Sequence, residues 1–313
     1  MDVNEENGLR IASCDMEEGL DRVRSGSLPD ADILRIARPE PSARNALERA
    51  GFVVKPSWVT WMAHTRESEE EFLAGLSGNE RGNMRKGQRF VRAQGISLKV
   101  FPVLEDRALE EFLTLYERQI AGMRYGISYG RRWQARMLAD RDTYFAVHAY
   151  RGDTLVGGCV CQVLDAKSTM RIRFNSADPA ERHGRLMRVM YLAAFQEARD
   201  RGQRRVSLGS DPSLYGHIAK PGLFTFKSRL GFLPVPAQWL DPRDGADEAD
   251  LVLRLDALED PSLLLAYDGP PEAGVPWDTP GRLRMEVLAG AEDVDVTQYR
   301  APFLAGHRIR VVR

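Results

Sequence analysis

Five residues able to move protons or hold anions fall in one short span, SDPSLYGHIAKPGLFTFKS: Asp211, Tyr215, His217, Lys220 and Lys227. A carboxylate, a phenol and an imidazole on one loop are groups used in general acid–base chemistry, and a histidine there can titrate near neutrality. The lysines suit phosphate or carboxylate groups. Upstream, AERHGRL over 180–186 reads as the start of a helix. Its free backbone N–H groups and positive end make an anion site, with Gly184 allowing close approach and Arg182, His183 and Arg185 at hand. Arg173 and Asn175, near the end of the preceding strand, are placed to orient an acceptor or bind its carboxylate. A third cluster, NERGNMRKGQRFVRAQ, sets Arg81, Arg85, Arg89 and Arg92 on one helical face. Clustered guanidinium groups suit phosphate, so Arg85 and Arg89 are candidate substrate contacts. Tyr125, in a Gly/Tyr-rich connection, is a candidate pocket-lining residue.

Each of these residues also has a plainer reading. Tyr215 suits a loop anchor, Asp211-Pro212 a turn, Lys227 a solvated helix face, and the 79–94 run a solvated charged face. None of the serines has nucleophile-elbow surroundings, and no Walker or Rossmann fingerprint is present.

The bulk numbers narrow the function classes. The chain has 313 residues, 43% hydrophobic and 28% charged, enough for one large or two modest soluble domains. With a formal net charge of −1 there is no global basic field, so any nucleic-acid contact must be a local patch. Of the three cysteines, Cys159 and Cys161 share one face of a strand and have no Cys/His partner at ligand spacing. They read as small buried thiols, which excludes a disulfide scaffold, predicts no metal and fits a reducing cytoplasm. The amino terminus lacks signal-peptide character, and no apolar run approaches the roughly 20 residues that span a bilayer. A soluble, cytoplasmic protein without membrane contact is expected.

Several elements must position these groups. Residues 32–37, 52–54 and 58–62 read as strands around a helix at 43–50, a strand–helix–strand half-domain. Residues 1–27 are polar, with a mobile start expected. Helices follow at 68–76 and 79–94, a strand at 96–103 and a sheet-covering helix at 108–120. Tyr144–Tyr150 and Thr154–Leu164 form a hairpin about Arg151-Gly-Asp153, followed by a strand at 168–175, a helix at 184–202 and a strand at 205–208. After Leu240 an acidic linker leads into a Pro/Gly-rich, β-rich appendage. The expected division is 1–95, 96–240 and 241–313.

From about Ile96 to Val235 this order resembles the GNAT acyltransferase fold. Val156-Gly-Gly-Cys159 matches a bulge on that family's fourth strand, which splays it from the fifth, and Gly184 opens the helix after the fifth strand. The motif Gln/Arg-x-x-Gly-x-Gly/Ala is met by Glu181, Gly184 and Leu186, so an acidic and a bulky residue stand where a pyrophosphate would lie. A longer-chain subset, the FemAB-like and BioF2-like transferases, is similar in Leu208-Gly-Ser210, Tyr215, Lys220 and Phe226-Lys-Ser-Arg-Leu-Gly-Phe232, with 32–62 as a partial module ahead of the complete one.

The resemblance implies an α/β (α+β) fold, a mixed and mostly antiparallel sheet flanked by helices. It implies an N-acyltransferase taking an acyl group from an acyl-CoA or carrier-protein thioester to an amine of a small molecule or peptide. The alternatives are an aminoacyl-tRNA-dependent transferase, with helix 79–94 on the acceptor stem, and a non-catalytic binding module. Under this resemblance Tyr215 is the proton donor, His217 and Asp211 are alternative acid–base groups, and the backbone at Gly158–Cys159 is the oxyanion donor. Arg182, His183, Gly184, Arg185 and Lys227 hold the donor; Arg173, Asn175, Lys220, Tyr125, Arg85 and Arg89 hold substrate.

Overall fold

The computed structural model describes residues 1–269 and 274–312; the side chains of Arg182 and His183, and residue Gly184, two arginine/histidine candidates and their glycine neighbour, lie outside the described side chains. The chain forms two compact units. The first comprises residues 1–61, 210–228 and 233–313, and the second residues 62–209 and 229–232. Among the described residues no helix is long and apolar enough to cross a membrane.

In chain order the elements begin with β1 (Asp2–Glu6), β2 (Leu9–Cys14), α1 (Met16–Ser25), β3 (Ile33–Ala37), α2 (Arg44–Arg49), β4 (Val53–Pro56) and β5 (Trp58–His64). Next come α3 (Glu69–Ala74), α4 (Gly78–Ala93), β6 (Ile96–Phe101), α5 (Asp106–Ala121), α6 (Tyr129–Ala139), β7 (Tyr144–Arg151), β8 (Thr154–Leu164) and β9 (Thr169–Ala177). Then α7 (Leu186–Asp200), β10 (Arg205–Pro212), β11 (Leu214–Tyr215), α8 (Pro221–Arg229), β12 (Leu233–Pro236) and α9 (Ala237–Leu240) follow. The chain closes with β13 (Asp247–Val252), β14 (Ser262–Tyr267), β15 (Leu283–Ala289) and β16 (Leu304–Val311).

The first unit holds a five-stranded sheet, β1-β2-β3-β13-β4, and a four-stranded one, β11-β14-β15-β16. The start of the chain is a strand hairpin and a helix capped by Asp15, not a mobile segment. Strand β13 pairs antiparallel with both β3 and β4, so residues expected to form a separate linker complete the amino-terminal sheet. A buried charge cluster marks that insertion. Asp250 accepts two 2.8 Å bonds from Arg35 and lies 3.2 Å from the Lys55 ammonium, which also pairs with Glu248. Burial alone would raise the Asp250 pKa, but Arg35 and Lys55 overcome it and hold the carboxyl well below its ordinary value. A one-residue slip of β13 would turn Asp250 out of this cluster, so the charges specify register.

In the second unit β6 to β9 form an antiparallel meander, and β9 pairs parallel with β10. This is the expected mixed, mostly antiparallel α/β fold. Helix α5 covers one face: Leu109, Phe112, Leu113 and Tyr116 pack on Tyr144, Ala146, Val160 and Phe174. Helix α7 covers the other face through Leu186 and Met190, both buried.

The two glycines of Val156-Gly-Gly-Cys159 explain this sandwich. A Cβ on Gly157 would come within 2.8 Å of Met190 Sδ on α7, and one on Gly158 within 2.6 Å of Phe112 Cδ2 on α5. Their task is to let helices approach both faces. In the expected segment the register shifts on the β7 side, at Val156, while against β9 Gly157 and Gly158 keep their ladder partners Ala177 and Ser176. The register against β9 shifts between Val160/Phe174 and Cys161/Ile172, which makes Arg173 the extra residue. Counted from β6, where the expected span begins, β8 is the third strand and β9 the fourth. The expected strand count was one too high.

One buried histidine has a measurable consequence. His148 on β7 is fully buried, its Nδ1 is 3.1 Å from the Tyr150 hydroxyl, and that hydroxyl donates to Glu111 at 2.8 Å. Its Nε2 has no hydrogen-bond partner. Burial pulls its pKa down to about 4, against a smaller upward pull from Glu111. A folded-state pKa below the unfolded value near 6.5 favours the neutral ring, so this stability is complete above pH 6.5 and is lost as pH falls towards 4. The expected loss is about 3 kcal/mol. Urea titrations across pH 4–7 on His148→Phe should give a flatter profile by about that amount; an unchanged slope would refute the assignment.

Candidate functional site

In the first unit the loop residues form a closed, buried network. The Asp211 carboxylate accepts from Lys227 Nζ at 2.8 and 2.7 Å and from the Tyr215 hydroxyl at 3.1 Å. The same hydroxyl accepts from the Trp61 indole N–H at 2.9 Å. Phe224 stands edge-on to both Trp61 and Tyr215. Tyr215 is 0% exposed, Lys227 6% and Asp211 7%. Burial, then the Asp211 charge, pushes the Tyr215 phenol well above its ordinary range, while burial pulls Lys227 down against Asp211. A phenol whose proton points at a buried carboxylate is held as a donor to that carboxylate. Lys227, expected on a solvated face or against the donor, is instead the counter-ion of Asp211.

The loop that presents these groups is fixed by Gly216. Its φ is +129°, and a Cβ there would overlap Ser262. His217 follows, with Nε2 3.1 Å from the Asn7 carbonyl, which can only accept. It lines a cavity of about 120 Å³, together with Ser213, Lys55, Glu248, Trp58 and Ile218. The Ser213 hydroxyl is buried without a hydrogen-bond partner, and Trp58 and Ile218 are exposed. Lys220 is outside this cavity's lining and pairs with Glu259 at 2.7 Å. No sequence signal pointed to Ser213 or to the Lys55–Glu248 pair, because β4 and β13 are almost two hundred positions apart.

In the second unit, β9 pairs with β10 through only three residues, Thr169–Arg171 against Arg205–Ser207. Beyond Arg171, β9 keeps its β8 neighbour while its other edge has no ladder partner on β10 among the described residues. The bulge at Arg173 also breaks the expected alternation. Phe174 pairs with Val160 on the α5 face, whereas Asn175 pairs with Cys159. Arg173 stacks on Trp133 of α6, 4.1 Å from the ring centre, so it and Asn175 serve opposite faces of the sheet. Gly158 and Cys159 sit in mid-ladder with partners on both sides. Burial raises the Cys159 thiol strongly. Tyr125 is half-buried, with the Arg124 guanidinium 5.1 Å from its ring.

The start of α7 differs from an open anion site. Buried Glu181 pairs with Arg151 at 2.8 Å. Arg185 donates to Asn83 at 3.0 Å, and Arg188 pairs with buried Glu80. Both partners belong to α4, which lies against this end of α7: a Cβ on Gly87 would meet Val189 at 3.0 Å and the Arg185 carbonyl at 3.2 Å. Leu186 is fully buried against Gly157, which accounts for a bulky residue at that position. Among the described side chains here, Arg185 and Arg188 are engaged within the fold and buried Glu181 adds negative charge, an arrangement that does not suit a coenzyme A pyrophosphate.

Helix α4 buries Glu80, Met84, Gly87 and Val91 and exposes Arg85, Lys86, Arg89 and Arg92. Arg81, expected on the same cationic face, turns back to bond the Leu76 carbonyl at 2.7 Å. Among the described residues no group of three or more His, Cys, Asp or Glu is placed to hold a metal.

Residues 106–218 match the Acetyltransferase (GNAT) family model. No curated protein matches the chain. Among solved structures, the chain is similar to FemX at 13% identity, over 78% of this chain and 81% of that one, with a TM-score of 0.46. It is similar to L-PGS from Bacillus licheniformis at 13% identity over 80% of each chain, with a TM-score of 0.42. An aminoglycoside acetyltransferase from an uncultured soil metagenomic sample, in complex with sisomicin, is similar at 16% identity over 36% of this chain and 74% of that one, with a TM-score of 0.29. Over residues 106–218, which span α5 to the loop after β11, the chain is similar to the GNAT acetyltransferase family.

Proposed function

We propose that the protein is an N-acyltransferase that forms an amide from an activated acyl group and an amine, and that its donor is an aminoacyl-tRNA. The acyl-transfer part rests on one observation: β9 bulges at Arg173 and parts from β10 after three residue pairs. An open strand edge offers backbone N–H groups to the oxyanion of a tetrahedral intermediate. This reading moves the oxyanion donor from Gly158–Cys159, where both ladders are complete, to the open edge of β9.

In the reaction the neutral amine nitrogen bonds to the ester carbonyl carbon. The carbon–oxygen bond to the ribose then breaks, and the proton lost by the amine ends on the released hydroxyl. Asp211, Tyr215 and Lys227 hold the loop that carries His217 within the first unit.

The choice of donor follows from α4. Its Asn83 and Glu80 engage Arg185 and Arg188 at the start of α7, while Arg85, Lys86, Arg89 and Arg92 stand exposed on its other side. A row of cations on one helix face suits a phosphate backbone. The same face supports a second reading, an acidic carrier protein bearing the acyl group as a thioester. Free coenzyme A thioesters are disfavoured. A coenzyme A thioester at 100 times its Kd would stabilise the fold by about 2.7 kcal/mol. The expected result in a thermal-shift titration with acetyl-CoA is no shift; a saturable shift of that size would return the thioester donor.

A further inference from the structure

On the α6 side of the second unit's sheet, three guanidinium groups gather against little opposing charge. Arg173, the bulged residue of β9, stacks on Trp133, and Arg136 of α6 lies 4.8 Å from the same ring. Burial lowers the Arg173 pKa against an upward pull from the Tyr144 phenol, and the Arg171 and Arg136 charges lower it further. The Nε atoms of Arg171 and Arg173 are both buried without a hydrogen-bond partner. Arg173 reaches Gln162 through a long 3.4 Å bond. The acid within ion-pair range of the group, among the described residues, is Asp140, 3.9 Å from the exposed Arg136.

A buried donor left without an acceptor is costly, more so on a charged group, so it calls for a partner that a water, an ion or a ligand can supply. Three positive charges against one carboxylate leave a surplus of two, and the guanidinium fork matches a phosphoryl group bidentately. The bulge is part of the construction. Without it, Phe174 would sit on the opposite face from Arg173 and the packing of Arg173 on Trp133 and Phe174 together would be lost.

We infer that Arg173 and Arg136, both set against the Trp133 ring, form with Arg171 of the same strand as Arg173 a binding site for a dianionic phosphate group carried by a ligand of this protein. The site stands on its own geometry and does not depend on the identity of the acyl donor.

The test is a calorimetric titration of the full chain with inorganic phosphate, with ionic strength held constant by sodium chloride. Saturable binding is expected, weakened at least ten-fold by Arg173→Met and by Arg171→Met, and less by Arg173→Lys, which keeps the charge but loses the fork. Arg136→Gln, at an exposed position that the fold does not need, should weaken binding several-fold and serves where a buried variant fails to fold. Arg243→Gln, in the other unit, should change nothing. Absence of saturable binding, equal affinity in Arg136→Gln and wild type, or acetate competing as well as phosphate would each overturn the assignment. No acyl donor or acceptor is present in this experiment, so its outcome is independent of the transfer assays.

Discussion

Replacing Asp211 by alanine is expected to cost about 3–5 kcal/mol of folding stability, the largest effect of any single substitution in the candidate site. The carboxylate accepts three hydrogen bonds, two from the Lys227 ammonium and one from the Tyr215 hydroxyl. Its removal leaves a buried ammonium without a counter-ion and a buried hydroxyl without its acceptor. The pH dependence has a definite sign. Burial holds the folded-state pKa of Lys227 below its unfolded value. Stability from that shift is therefore present above the unfolded value and lost as pH falls through the folded one. Without Asp211 the shift is larger, so the variant should recover part of its loss in alkaline solution. The double variant Asp211→Ala/Lys227→Met should recover more, since replacing both members of a buried pair by apolar groups is often neutral or better. Denaturant midpoints at constant m-value measure this. A loss below about 1 kcal/mol in the single variant would mean that the pair is solvated.

Reversing two charges on α4, Arg85→Glu with Arg89→Glu, is expected to lower kcat/KM for a tRNA-borne donor roughly 100-fold at low salt, because the phosphate backbone dominates such affinity. Both side chains are exposed and neither belongs to the helix's buried face. Stability should therefore stay within about 0.5 kcal/mol of wild type. Raising the salt should bring the two proteins together, since screened contacts contribute less. A minimal donor, an amino acid esterified to a single adenosine, should be used equally by both. A loss that is independent of salt, or equal for the minimal donor, would place the effect in the chemistry and remove α4 as the docking surface.

Much of the second unit was readable from the chain because its signals are local. The hairpin about Gly152 and the amphipathic α5 both act within a few residues of themselves. What stayed hidden depends on partners distant in sequence. Strand β13 inserts between β3 and β4, so Asp250 meets Arg35 and Lys55 with no short-range pattern to announce it. The bulge at Arg173 is a register shift against β8, and alternation alone put Arg173 and Asn175 on one face. The basic helix was legible, but that its Glu80 and Asn83 engage the arginines of α7 was not. That packing is what changes the reading of the donor. Tyr215 and Asp211 stood out in the sequence as ionisable loop groups, but their bond to each other and their contacts with Trp61 and Lys227 depend on partners no local pattern shows.

Transfer from charged tRNA tests the central claim most directly. The protein is supplied with tRNA bearing labelled amino acids and a mixture of amine acceptors, and label resistant to ester hydrolysis is counted as amide. The expected result is amide formation that RNase abolishes when added before the enzyme and leaves intact when added after, with no product from acetyl-CoA. Amide formation from acetyl-CoA that RNase leaves untouched would contradict the account.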